Sequence, residues 1–199
     1  YGEDMAVLTG DAFFIEAFDI IASDMLSKFE SEMSSLPYIK AMLRANRILA
    51  NRSGMKGMIG GEVIDVEFTG KTVEKKVLKA IYELKTSALI EASMLIGAVL
   101  GMAGNGELAI VEEAAKSVGM AFQIRDDILD STSSTKVLGK TVGSDEKNNK
   151  TNYVSLYGLE KAKKECYRLS KEAKDLLLSL DRDTTTLRKI IEGLIDRES

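Results

Sequence analysis

The sequence predicts an all-α protein, and three observations support that prediction. Apolar residues recur at intervals of three and four along most of the 199 residues, which is the spacing of amphipathic helices. No alternating apolar and polar pattern of useful length indicates a strand. Turn-forming residues separate the helical stretches, and no segment marks a boundary between domains. We therefore expect residues 1–199 to form a single helical domain.

The predicted helices have recognisable ends. Pro37, which is tolerated in the first turn of a helix, starts the second helix. Glycine and asparagine in "GMAGNGE" end the fourth helix, and Asp183 or Thr184 can cap the last one. A polar, lysine-rich loop is expected over 136–150. In chain order, the predicted helices span 5–29, the Pro37 region to about 50, 53–68, 73–101, 107–130, 159–180 and 184–197.

The composition excludes several kinds of function. The chain has no histidine, which rules out Ser-His-Asp and Cys-His catalysis and histidine-ligated zinc. A formal net charge of −4 argues against nucleic acid as a partner. No apolar run reaches the roughly 18–20 residues that a membrane span needs. The single cysteine, Cys166, excludes an intramolecular disulfide and fits a reducing compartment, so a cytoplasmic location is expected.

Three carboxylates lie close together in "AFQIRDDILD", residues 121–130. On a helix, Asp126, Asp127 and Asp130 fall near one face, and Gln123 lies on the same stripe. Because the flanking residues are apolar, the carboxylates are expected to be partly buried, where their repulsion needs a counter-charge. Mg²⁺ suits them, since it binds through one or two carboxylates together with substrate phosphates. The alternative is a solvated acidic helix end without a metal.

Two groups of lysines are candidates for contact with a phosphorylated substrate. Lys85 and Thr86 interrupt an apolar helix, and Lys85 is either a point charge for a diphosphate or a side chain that only reaches solvent. Lys140 and Lys150 follow the carboxylates in a glycine-containing segment, which either closes over an anion or is a solvated loop. The segment "MIGGEVIDVE" is explained by glycines that allow close helix packing.

The order of these segments resembles that of the trans-isoprenyl diphosphate synthases, especially the bacterial farnesyl and geranylgeranyl diphosphate synthases. Five blocks occur in the family's order over the whole chain: "GEDMAVLTGDAFF", "GGEVIDVE", "LKTSALIEAS", "GMAFQIRDDILD" and "LGKTVGSDEKNNKTNYVSLYG". The resemblance implies an isoprenoid-synthase-type bundle of long helices around a central cavity, usually in a homodimer. It also implies Mg²⁺-dependent, head-to-tail condensation of an allylic diphosphate with isopentenyl diphosphate. The product would be a short-chain isoprenyl diphosphate such as farnesyl or geranylgeranyl diphosphate.

The resemblance also assigns roles to residues. Asp126, Asp127 and Asp130 match the family's second aspartate-rich motif, with Asp126 as the principal metal ligand. Two residues depart from the family pattern: Glu62 stands where glutamine is common, and Tyr82 stands near a frequent histidine. The resemblance further implies residues that bind the substrate diphosphate or line the site of the allylic cation: Lys85, Thr86, Gln123, Lys140 and Lys150. The residues that it implies to be catalytic are Lys85, Thr86, Gln123 and Asp126.

One part of such a synthase is not found in this sequence. The family's first aspartate-rich motif, and the residues that hold isopentenyl diphosphate, precede the first of the five blocks. We therefore expect the sequence to be the C-terminal two-thirds of a synthase and to be inactive by itself. The alternative from another class is a non-catalytic regulatory subunit that pairs with an active synthase. A terpene cyclase is less favoured, because its second metal motif is usually of a mixed Asn, Ser and Glu type.

Overall fold

Helices form the regular structure of the chain in a computed structural model that describes residues 2–30, 35–132 and 151–195. Within these ranges there are nine α-helices and one wider, π-helical turn, and there is no strand. The elements are α1 (Glu3–Glu30), α2 (Leu36–Ser53), α3 (Met58–Glu67), α4 (Lys75–Ile81), the π turn (Tyr82–Ser87), α5 (Ala88–Leu100), α6 (Asn105–Thr132), α7 (Tyr153–Tyr157), α8 (Leu159–Leu178) and α9 (Thr185–Ile195). The all-α prediction is confirmed.

Two predicted helices differ from the observed ones. The stretch 53–68 is not one helix. Gly54 caps the end of α2, and the backbone N–H of Gly57 donates to the carbonyl oxygen of Gly54 at 3.0 Å, so the chain turns there. Helix α3 begins only at Met58. The stretch 73–101 is helical from Lys75 to Leu100 but is widened in its middle by the π turn. Helix α7 was not predicted. The predicted loop over 136–150 lies outside the described residues.

The last two helices agree more closely with the prediction. Asp183 and Thr184 were the two candidate caps of α9: the carbonyl of Thr184 accepts from the N–H of Arg188 at 2.9 Å, which makes Thr184 the N-cap position, and the Asp183 side chain accepts from the N–H of Thr185 at 2.9 Å. Helices α8 and α9 both place apolar residues on one side, where Leu177 and Ile191 are almost fully buried. The apolar spacing predicted both helices, over 159–180 and 184–197.

Helix α6 is the centre of the molecule. It packs between α5 and α8 and buries 13 of its 28 residues. Ala114, Ala121 and Ile124 on this helix are completely inaccessible, and small residues at the first two positions let the neighbouring helices approach closely. The C-terminal half of α6, which carries the predicted aspartates, is therefore anchored in the main hydrophobic core through Ala121, Ile124 and Ile128.

Helix α1 lies at the edge of the described structure. None of its residues is buried, and it packs lightly against α2. Its large apolar side chains that face solvent are Met5, Val7, Leu8, Phe13, Ile15, Ile20, Leu26 and Phe29. Exposed apolar side chains in this number usually mark a contact with another protein surface.

Candidate functional site

A cavity of about 340 Å³ opens between α3, the π turn, the C-terminal half of α6 and the segment that leads into α7. Six residues predicted from the sequence line its wall, and what each of them binds stays a prediction. They are Lys85, Thr86, Gln123, Asp126, Asp127 and Asp130. The two remaining predicted residues, Lys140 and Lys150, lie outside the described residues.

Close backbone contacts fix the walls of this cavity. A side chain at Gly61 of α3 would overlap the backbone nitrogen of Lys85, so α3 lies directly against the π turn. A side chain at Gly119 of α6 would overlap Ser87 in the same way. These two glycines let three elements meet at van der Waals distance, and they hold Lys85 between α3 and α6.

Lys85 carries the positive charge of the cavity wall. Its ammonium lies 2.6 Å from Asp65 Oδ2 and 2.6 Å from Glu62 Oε2. Burial by itself would lower the pKa of Lys85, but the hydrogen bonds that the ammonium donates to Asp65 and Glu62 outweigh that effect and raise the pKa above its ordinary value. Lys85 is therefore a fixed cation at neutral pH.

Thr86 and Gln123 join the two sides of the cavity. The hydroxyl of Thr86 donates to Oε1 of Gln123 at 2.7 Å, and Nε2 of Gln123 donates to Asp127 at 3.3 Å. This chain runs from the π turn to α6 and fixes the orientation of the Gln123 amide. It also places neutral oxygen dipoles beside the cavity, where they are suited to stabilise developing positive charge.

Asp127 is enclosed by hydrogen-bond donors. It is 3% exposed, and it accepts from the Tyr82 hydroxyl, from the Gln123 amide and, at 2.8 Å, from the backbone N–H of Tyr153. The Asn152 side chain caps α7 at the adjacent residue, so this carboxylate ties the start of α7 to α6 and the π turn. Its role as a metal ligand stays a prediction.

Asp126 and Asp130 lie one helical turn apart and both line the cavity. Within the described ranges, no three acidic or cysteine side chains lie close enough together to hold one metal ion. Mg²⁺ does not need three, because water and substrate phosphate usually complete its coordination. The donor set therefore fits Mg²⁺ bound through one or two carboxylates of α6.

Sequence reasoning missed several residues of the wall. Asp65 was assigned to helix packing, yet it is buried and holds Lys85. Tyr82 was noted only as a departure from a family pattern, and its bond to Asp127 was not expected. Thr151 and Asn152 also line the cavity. One signal in the sequence could have indicated the shared role of Glu62 and Asp65: they are three residues apart, which places both side chains on the same face of a helix.

Comparison with known proteins shows the family to which the chain belongs. A family profile described as Polyprenyl synthetase matches residues 1–192. The chain belongs to the polyprenyl synthetase family. Its cavity lies where α3, the π turn and α6 of this polyprenyl synthetase meet, which is also where three of the five sequence blocks converge.

Relatives of this polyprenyl synthetase are similar over most of the chain. It is 36% identical over 203 residues to the farnesyl diphosphate synthase of Escherichia coli (strain K12), covering 99% of the chain and 64% of that relative. It is 38% identical over 186 residues to the heterodimeric geranylgeranyl pyrophosphate synthase large subunit 1, chloroplastic, of Arabidopsis thaliana, covering 92% of the chain and 48% of that relative. The chain thus spans about half to two thirds of the length of these relatives.

A solved structure supports the fold assignment. A geranyltransferase from Helicobacter pylori, complexed with magnesium and isoprenyl diphosphate, superimposes with a TM-score of 0.77 at 28% identity. The superposition covers 98% of this polyprenyl synthetase and 61% of that protein. The predicted isoprenoid-synthase type of helical bundle is confirmed. Among the described residues, none of the helices combines the length and the apolarity that crossing a membrane requires.

Proposed function

We propose that this chain carries the diphosphate and metal site of a Mg²⁺-dependent, short-chain trans-prenyltransferase. Such an enzyme condenses an allylic diphosphate with isopentenyl diphosphate, head to tail, to give a product such as farnesyl or geranylgeranyl diphosphate. The observation that carries the proposal is the meeting of Lys85, Thr86, Gln123 and the α6 aspartates in one cavity. A fixed cation, oriented dipoles and oxygen ligands for a metal are the groups that ionisation of a diphosphate ester requires.

Each group of the cavity has a defined part in this reaction. Asp126 and Asp130 would hold Mg²⁺, which when bound supplies positive charge to the leaving diphosphate. Lys85 would bind a diphosphate oxygen through its ammonium, and Lys140 and Lys150 are proposed to add further contacts. The Thr86 and Gln123 oxygens would face the carbon from which the diphosphate departs. All of these groups position or stabilise charge without forming a bond to the substrate.

The bond changes balance without a protein base. The allylic C–O bond breaks and its electrons leave with the diphosphate. The double bond of isopentenyl diphosphate then attacks the allylic carbon, and the released diphosphate takes the proton that is lost. A chain without histidine can therefore support this reaction.

The proposal extends to a second copy of the chain. Helix α1 presents eight large apolar side chains to solvent and buries none of its residues. That surface suits contact with another α1, as a homodimer would provide. We propose such a homodimer as the assembly in which the enzyme acts.

The test is a prenyl-transfer assay on the full-length protein with both diphosphates and Mg²⁺. Asp126→Asn should lower turnover by about two orders of magnitude or more, because it removes a ligand charge while it keeps the side-chain shape. Asp175→Asn, an equal change at an exposed position of α8, should leave turnover unchanged. Normal turnover in Asp126→Asn would exclude Asp126 as the principal metal ligand.

A full-length protein that binds a synthase but transfers no prenyl group itself would favour the alternative function of a regulatory subunit.

A further inference from the structure

Lys85 is held by two carboxylates that differ in exposure. The Asp65 side chain is 7% exposed, whereas the Glu62 side chain is 50% exposed, although both lie 2.6 Å from the ammonium. We propose that Glu62 competes with a bound diphosphate for Lys85, and that it thereby sets how tightly the site holds the anion. The inference rests on the proposed function, because it concerns a ligand of the same cavity.

The contact between Glu62 and Lys85 is imposed by the fold. Gly61 presses the backbone of α3 against that of the π turn, so the residue after it cannot move far from Lys85. Glu62 and Asp65 are three residues apart and project from the same side of α3. A glutamate at this position is therefore always within reach of the ammonium.

Glu62, not Asp65, is the partner that can exchange. Asp65 is buried, and its carboxylate would lose the hydrogen bond from Lys85 in a place that water reaches poorly if Lys85 turned away. Glu62 can rotate into solvent at little cost, because a half-exposed ion pair contributes little free energy. A diphosphate that approaches Lys85 would replace Glu62 and leave the bond to Asp65 in place.

The charge of Glu62 opposes that replacement. Two carboxylates already lie 2.6 Å from the Lys85 ammonium, which has three donors, so a diphosphate that takes more than one donor must replace one of these carboxylates. An incoming diphosphate meets a negative side chain within a few ångströms of its binding position, and like charges at that distance repel. Glutamine at the same position would keep the shape and a hydrogen bond while it removes the repulsion.

Calorimetric titration of the full-length protein with inorganic pyrophosphate in excess Mg²⁺ tests this directly. Glu62→Gln should lower the Kd about five-fold, the size expected when one half-exposed charge contact is removed. Glu83→Gln is the matched control. Glu83 lies on the π turn that also carries Lys85, and its side chain is 49% exposed, close to the exposure of Glu62. It pairs with Lys79 at 3.4 Å and not with Lys85. The control should change the Kd by less than about two-fold.

A double-variant cycle separates direct competition from a general effect of charge. In a Lys85→Gln background, Glu62→Gln should tighten pyrophosphate binding clearly less than it does in the parent protein, because competition for the shared cation is gone and only the repulsion between like charges remains. An equal gain with and without Lys85 would overturn the proposal. Thermal melting of each variant shows whether it is folded, and Glu62→Asp, which keeps the charge on a shorter side chain, should bind no more tightly than the parent protein.

The remaining outcomes distinguish this inference from the proposed function. If the parent protein binds pyrophosphate with Mg²⁺ but Glu62→Gln binds it equally or more weakly, Glu62 does not compete and only this inference fails. If the parent protein does not bind pyrophosphate with Mg²⁺ at all, the proposed function fails and this inference with it.

Discussion

Helices α1 and α6 have the same length, 28 residues, but opposite surroundings. Helix α6 buries 13 residues and carries the aspartates of the cavity, whereas α1 buries none. Both contain enough apolar residues to form a core, so their composition does not explain the difference. Burial depends on the partners that a helix meets: α5 and α8 flank α6, whereas α1 packs only lightly against α2. An apolar spacing therefore predicts a helix more reliably than it predicts its place in the core.

The largest expected difference between the two helices is in the cost of removing an isoleucine. Ile124→Ala on α6, where the side chain is 0% exposed, should lower the free energy of unfolding by about 2–5 kcal/mol. Ile15→Ala on α1, where the side chain is 71% exposed, should change it by about 0.5 kcal/mol or less. Urea denaturation of the 199-residue chain at low protein concentration measures both. An equal cost at the two positions would show that the α1 surface is covered in solution.

A second pair of substitutions adds a methyl group to each helix. Gly119→Ala on α6 should destabilise the protein by about 1–3 kcal/mol, because the methyl group would overlap Ser87. Gly10→Ala on α1 should stabilise the protein by about 0.5–1 kcal/mol. No atom lies within 4 Å of the position that the new methyl group would take, and alanine has a higher helix propensity than glycine. The two melting temperatures should move in opposite directions. If both substitutions stabilised the protein, the close contact between α6 and the π turn would be contradicted.

The smallest expected effects concern pH and also have opposite signs. Burial raises the pKa of Glu91, which Arg52 offsets only in part, so stability should fall as the pH rises from about 4.5 through the raised pKa. Glu91→Gln should remove that decline. Hydrogen bonds from Tyr38 and Lys28 lower the pKa of Asp24 on α1, so its contribution is present above about 3.8 and is lost as the pH falls through the lowered pKa.

Asp24→Asn should remove only that loss at acid pH. Urea denaturation at a series of pH values from about 3 to about 8 measures both variants against the parent protein. Parallel pH profiles for the parent protein and Glu91→Gln would show that Glu91 carries no penalty for its burial.

Much of the fold could be predicted from the sequence because helix spacing is a local property. The stripe of Gln123, Asp126 and Asp130 follows from geometry within one helix, and the structure places all three in one cavity. The partners of Asp127 could not be predicted, because Tyr82 and Tyr153 are 45 and 26 residues away in sequence and meet it only after folding. The glycines of α3 were recognised as contact points, but the element that they contact was not.

The roles of individual site residues remain proposals for a related reason. Chemistry at Lys85 depends on Asp65 and Glu62, and no sequence spacing reveals how exposed each partner is. The predicted contacts of Lys140 and Lys150 fall outside the described residues. Substitution of each lysine by alanine in the full-length protein, with pyrophosphate affinity as the measurement, would assign them.

The π turn between α4 and α5 has a consequence for changes in chain length. A π turn holds one more residue than an α-helical turn, and each residue of an α-helix advances the chain by about 100°. The turn therefore lets the chain hold one more residue between α4 and α5 than a regular helix would, and Lys85 and Thr86 lie on that widened turn. Loss of a single residue from Tyr82–Ser87 would close it to a regular α-helical turn and move Lys85 and Thr86 relative to Asp65 and Gln123, which they contact. Such a deletion is expected to damage the cavity as severely as the loss of a ligand, even where it removes none.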